Sequence, residues 1–189
     1  MEDRFGVRSA NPSHVECHLA AWEHSTLQGG PVISDAEKAH IQRAVELAHE
    51  AEGEGNLPIG AVIVLDGVRV GEGHNRIAIP VYNPGRHAEI EAIRSVPLEY
   101  WPRAREMTCY TTLEPCVMCL GTLVLHGVGR VVFGGIDRAG GSSITLAHLP
   151  EYYATGGKPE WIGPVLPDVC DPLYDRVAEL FPHLPCGQV

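Results

Sequence analysis

Two short runs hold the residues best suited to chemistry: His87-Ala88-Glu89, and Pro115-Cys116-Val117-Met118-Cys119 further along the chain. One imidazole and two thiols are a donor set that suits Zn²⁺. Cysteines three apart on a helix share one face, with Cβ atoms about 5–6 Å apart, and a first-turn position favours thiolate over thiol. His87 and Glu89 are two apart, so in mid-helix they would point to nearly opposite sides. They share a site only if it lies beyond the helix's amino end, towards which side chains lean. Three soft ligands leave the fourth tetrahedral position to a water or hydroxide, the mark of a catalytic zinc. Zn²⁺ lowers the pKa of such a water from about 15.7 to roughly 7, and Glu89 is the carboxylate placed to shuttle protons. Other readings stay open: a redox C-x-x-C, two buried small hydrophobes, or a structural zinc closed by Cys109 as fourth ligand.

These residues need elements to hold them. Ser34 and Glu37 form a capping box ahead of a helix with apolar positions Ala36, Ala39, Ala44, Leu47, Ala48 and Ala51, stopped by Gly53 and Gly55. Ile59–Leu65, Asp66-Gly67 and Val68–Asn75 predict an antiparallel hairpin. A helix over about His87–Arg94 follows, then a strand over Thr108–Thr112. Pro115 is expected at the first helical position of a helix continuing through Cys116–Leu125, where its missing N–H costs nothing. Arg130–Phe133 predicts a further strand, 134–142 a Gly-rich loop, and Asp171–Leu180 a terminal helix. Strands interleaved with helices indicate a three-layer α/β domain. Residues 1–33 are expected to be an irregular extension, and 34–189 a single domain with a variable segment at 140–189.

The chain has 189 residues, 44% hydrophobic and 20% charged, with a formal charge of −10. That length fits one domain with a real core. Residues 140–189 carry −4 and no basic block occurs anywhere. A nucleic-acid binder normally shows a basic stripe, so a small neutral or cationic substrate is favoured and nucleic acid disfavoured. Apolar runs are far shorter than the roughly 20 residues a membrane helix needs, and no export signal is legible, so the expected compartment is the cytoplasm. Six cysteines are too sparse for a disulfide scaffold. His14, Cys17, His18 and His24 match no ligand spacing and are taken as surface residues. His126 suits a helix C-terminus. In the carboxy-terminal third, Asp137 is positioned to accept a hydrogen bond from an amino-substituted ring, and Tyr152, Tyr153 and Trp161 are candidates to stack on one.

H-x-E followed by P-C-x-x-C is the signature of zinc deaminases that attack an amino-bearing carbon of a nucleobase. Together with Leu57-Pro58-Ile59-Gly60-Ala61-Val62, Gly71-Glu72-Gly73-His74-Asn75-Arg76, Thr112-Leu113-Glu114 and Gly129–Gly134, the pattern resembles the cytidine deaminase-like superfamily. The resemblance is to the branch of guanine, cytosine and tRNA adenosine deaminases. It implies an α/β/α sandwich with a mixed five-stranded sheet of order 2-1-3-4-5, and a homodimer. It also implies His87, Cys116 and Cys119 as ligands of one Zn²⁺ and Glu89 as proton shuttle. Asn75 and the backbone around Gly60-Ala61, Ala88 and Glu114 would then hold the ring's edge, the Glu114 side chain being free to face solvent. The expected reaction is hydrolytic removal of an exocyclic amine from a free nucleobase or related heterocycle. A tRNA adenosine deaminase is the alternative, and a non-catalytic zinc-stabilised binding module a third reading, for which an unligated Glu89 would have no use.

Overall fold

A computed structural model describes residues 33–180. The first helix, α1 (Asp35–Gly53), begins at the expected capping box: the Ser34 side chain accepts from the Glu37 N–H while Ser34 N–H donates to the Glu37 carboxylate at 2.9 Å. Its buried face is Ile41, Ala44, Val45, Leu47, Ala48 and Ala51. β1 (Gly60–Leu65) and β2 (Val68–His74) form the antiparallel hairpin, turned by Asp66 and Gly67, both at positive φ as a type I′ turn requires. Then come α2 (Ala88–Ser95), 3₁₀ turns over Leu98–Glu106, β3 (Thr108–Leu113), α3 (Val117–Leu125) and β4 (Arg130–Gly135). Two short helices follow, α4 (Ser143–Ala147) and α5 (Glu151–Ala154), before β5 (Glu160–Ile162) and α6 (Pro167–Leu180).

The sheet order is β2-β1-β3-β4-β5, as expected. β1 is antiparallel to β2 and β3, while β3–β4 and β4–β5 are parallel. All six β1 residues are buried because both faces are covered. On one face Ala61, Ile63 and Leu65 pack with Ala88, Ala92 and Ile93 of α2 and Leu123 of α3. On the other, Val62 and Val64 meet Ile41, Val45, Leu47 and Ala48 of α1 and Leu173 of α6. Close backbone approach sets α2 against the hairpin: a Cβ on Gly73 would run into the Ala88–Ala92 main chain. α2 is the helix that begins at His87, so this contact places the candidate site.

Several boundaries differ from expectation. Pro115 precedes the helix instead of occupying its first turn; the extended Cys116 (φ −71°, ψ 173°) is the N-cap, and its carbonyl accepts the Leu120 N–H. β4 runs on through Gly135 because it pairs with Leu113 of β3, so the loop starts at 136. α6 begins four residues early, at Pro167. The expected extension 1–33 lies outside the described residues except for Ile33, which packs into the α1 side of the core. His14, Cys17, His18 and His24 lie outside them too. Among the described residues no helix is long and apolar enough to cross a membrane.

Candidate active site

Two helix amino ends converge on one point. His87 is the N-cap of α2 and Cys116 the N-cap of α3, so neither side chain is committed to a helical face. His87, Cys116 and Cys119 bring their donor atoms within 4.8 Å of one another. Cys116 Sγ lies 3.7 Å from His87 Nδ1, close to the roughly 3.6 Å that tetrahedral Zn–S and Zn–N bonds imply. Two sulfurs and one nitrogen at this spacing fit a zinc ion, with no fourth protein ligand gathered among the described residues. Cys109, the rival fourth ligand, is fully buried in the core between Ile63 and Val131, and its thiol is held protonated by burial.

Electrostatics suit a cation. The Cys116 thiol falls to about 4, chiefly because Cys119 donates to its sulfur and secondarily through His87. Cys119 moves the opposite way, since it keeps the proton shared with Cys116 and is buried. Burial opposes a charged His87, but Cys116, Glu89 and Asp137 together outweigh it and raise its pKa. Glu89 is nearly fully buried, and that burial raises its carboxyl. Cys119 Sγ sits 3.3 Å from Glu89 Oε2, and Thr111 Oγ1 donates to Oε1 at 3.4 Å. The Glu89 carboxyl thus touches the ligand cluster.

Above the cluster lies a cavity of about 370 Å³, lined by His87, Ala88, Glu89, Glu114, Cys116 and Asp137. Its remaining wall includes Leu57, Ile59, Ile77, Tyr82, Tyr174 and Val177. Asn75 is not in the lining but is buried directly behind it. Its N–H donates to Ile59 O, its Oδ1 accepts from the Ile77 N–H, and its Nδ2 has no partner among the described residues. Asp137 is partly committed, since Oδ1 accepts from the Ala139 and Gly140 N–H groups.

Three expectations are corrected. The Glu114 side chain does not face solvent: it is only 4% exposed and accepts from Ser143 N–H at 2.9 Å. Trp161 packs on Phe133 instead of lining the cavity. Tyr152 and Tyr153 pack edge to face on each other, also away from it. His126 caps the end of α3, its ring 5.0 Å from Trp101. Sequence reasoning missed Tyr82 and Tyr174, which reach the cavity from a Pro-rich loop and from the terminal helix. The exposed aromatic in Pro80-Val81-Tyr82-Asn83-Pro84 was the one local signal for either.

Comparison with known proteins locates this constellation in a family. The family model for the cytidine and deoxycytidylate deaminase zinc-binding region matches residues 34–135, which include His87, Glu89, Cys116 and Cys119 and exclude Asp137. The chain is 36% identical over 136 residues to a tRNA-specific adenosine deaminase of Bacillus subtilis, covering 71% of this chain and 83% of that one. It is 35% identical over 99 residues to a cytosine deaminase of Candida albicans, covering 52% and 65%. A solved structure from work on A-to-I editing by tRNA:A34 deaminases superposes with a TM-score of 0.61 at 26% identity, over 72% of this chain and 99% of that one.

Proposed function

The chain belongs to the family of the cytidine and deoxycytidylate deaminase zinc-binding region, and from that premise we propose that it hydrolyses the exocyclic amine of a free nucleobase-type ring. The observation that carries this reading is the acid-lined cavity over the His87, Cys116 and Cys119 cluster. Glu89, Glu114 and Asp137 contribute to its wall, and no lysine or arginine does among the described residues. A phosphate would meet carboxylates there and no lysine or arginine among the described residues. A neutral ring fits the space.

His87, Cys116 and Cys119 would hold Zn²⁺, whose Lewis acidity brings the deprotonation of water into the neutral range. Glu89 takes a proton from the attacking water and returns it to the amine as the C–N bond breaks and the C–O bond forms, releasing ammonia. Asn75 Nδ2, buried behind Ile59 and Ile77 of the wall and unpartnered among the described residues, would donate to a ring acceptor that reaches it, and the Ala88 backbone holds the ring. Leaving such a buried donor unmet costs about 1–3 kcal/mol, a cost the substrate would remove.

A second reading, deamination of adenosine within tRNA, is favoured by the names of the Bacillus relative and the superposed structure. Guanine, cytosine, adenine, their nucleosides and triazine analogues, each incubated with purified protein, are expected to yield ammonia from at least one free base. Inosine in tRNA with no free base converted would overturn the first reading in favour of the second. The exposed apolar residues Val117, Met118 and Leu125 of α3 face a groove with Leu149, Pro150 and Tyr153, and we assign the homodimer to this face. Light scattering should return about twice 20.5 kDa, and a monomer mass would refute the assignment.

A further inference from the structure

The cavity wall formed by Asp137, Ala139 and Gly140 belongs to the loop after β4, and a loop of that composition has little side-chain packing to hold it still. Beside the Asp137 turn and an Arg138–Asp171 ion pair, a run of hydrogen bonds ties it to the segment that carries a metal-site cysteine. Gly141 forms a β-bridge with Cys116. Ser142 Oγ donates to Pro115 O at 2.5 Å. Ser143 donates to Glu114 Oε1 through both its N–H, at 2.9 Å, and its hydroxyl. The fit is close enough that a Cβ on Gly141 would strike the Glu114 carboxylate.

The final member comes from the edge strand. Trp161 of β5 donates its indole Nε1–H to Ser143 Oγ at 3.0 Å. A serine hydroxyl has one proton to give and two lone pairs. Filling one lone pair from Trp161 leaves its proton for Glu114, and each bond in such a chain polarises the next. The buried Glu114 carboxylate is thereby met by two donors, as a buried charge requires.

We infer that Ser143 and Trp161, neither of which lines the cavity, are positioning residues for substrate: through Glu114 they lock the Asp137–Gly140 wall to the Pro115-Cys116 segment. The inference rests on the deaminase reading above. Specificity is thus set in part from β5 and α4, outside the residues the family model matches.

The test uses the full chain with Trp161→Phe, which keeps the ring packed on Phe133 and removes the indole N–H, and Ser143→Ala, which removes the hydroxyl. Each is assayed on whichever substrate the unaltered protein converts, free base or tRNA, so failure of the free-base reading is seen separately in the unaltered protein. Loss of one part-buried hydrogen bond of this kind is expected to raise KM about five- to thirtyfold. kcat should change less than KM, and zinc should stay at one per chain. The double variant should be no worse than Ser143→Ala alone, since both act through one relay. A lowered melting temperature with unchanged KM in either variant would show a structural role only and overturn the inference. So would additive effects in the double variant, or loss of zinc. If Trp161→Phe fails to fold, Ser143→Ala decides by the same KM criterion, and the reverse holds.

Discussion

Glu89→Gln is expected to lower kcat by at least the 10²–10⁴-fold typical of a lost general acid–base, while the protein keeps one zinc per chain. Glutamine matches glutamate in shape, so it can still accept from Thr111 Oγ1 and remain against Cys119 Sγ, the two contacts the carboxylate makes. What it cannot do is take a proton. The side chain is buried against the ligand cluster and lines the cavity, and the burial that raises its pKa brings the carboxyl closer to the range where it exchanges protons near neutrality. Among the described residues no other carboxylate touches the cluster to replace it. Glu114 is engaged by Ser143, and Asp137 gives one oxygen to its own loop. Turnover is measured by ammonia release and metal by elemental analysis on the same sample. A variant that still deaminates at the parental rate would remove Glu89 from the mechanism, and one that loses zinc would make the rate uninterpretable as proton transfer.

How far the chain discloses this site depends on whether the determining contacts are local. The capping box at Ser34 and Glu37 and the Asp66-Gly67 turn are decided within four residues, and both stand where the spacing places them. The metal cluster is legible for a related reason: each ligand sits at a helix start, and helix starts have local signals. β5 has no such signal. It is three residues long, pairs only with β4, and its residues are half-buried or exposed, so no alternation marks it. α4 and α5, five and four residues, are too short for helical periodicity. Glu114 shows the limit most clearly. Its place before proline fixes its main chain as extended, but where its carboxylate points is settled by Ser143, 29 residues away. Tyr174 belongs to the cavity only because α6 folds back across the sheet, which no neighbouring residue announces.

Cys119→Ala tests the metal site itself and should abolish both stoichiometric zinc and activity. The thiol is fully buried, within 4.8 Å of the other two donors, and on the first turn of α3. Its removal leaves His87 and Cys116, too few donors to complete a tetrahedral zinc site. The loss should also appear in stability. A ligand bound only by the folded state stabilises it by RT ln(1 + [L]/Kd), about 4 kcal/mol at a thousandfold excess over Kd. A chelator should therefore lower the melting temperature of the unaltered protein by several degrees and leave that of Cys119→Ala unmoved. Cys109→Ala is the control that separates metal loss from a packing defect. That thiol is equally buried but lies in the core against β1 and β4 neighbours, so its truncation should destabilise through a small cavity while zinc and the chelator response persist. Retention of full zinc by Cys119→Ala, or its loss from Cys109→Ala, would show that the ligand set has been misassigned.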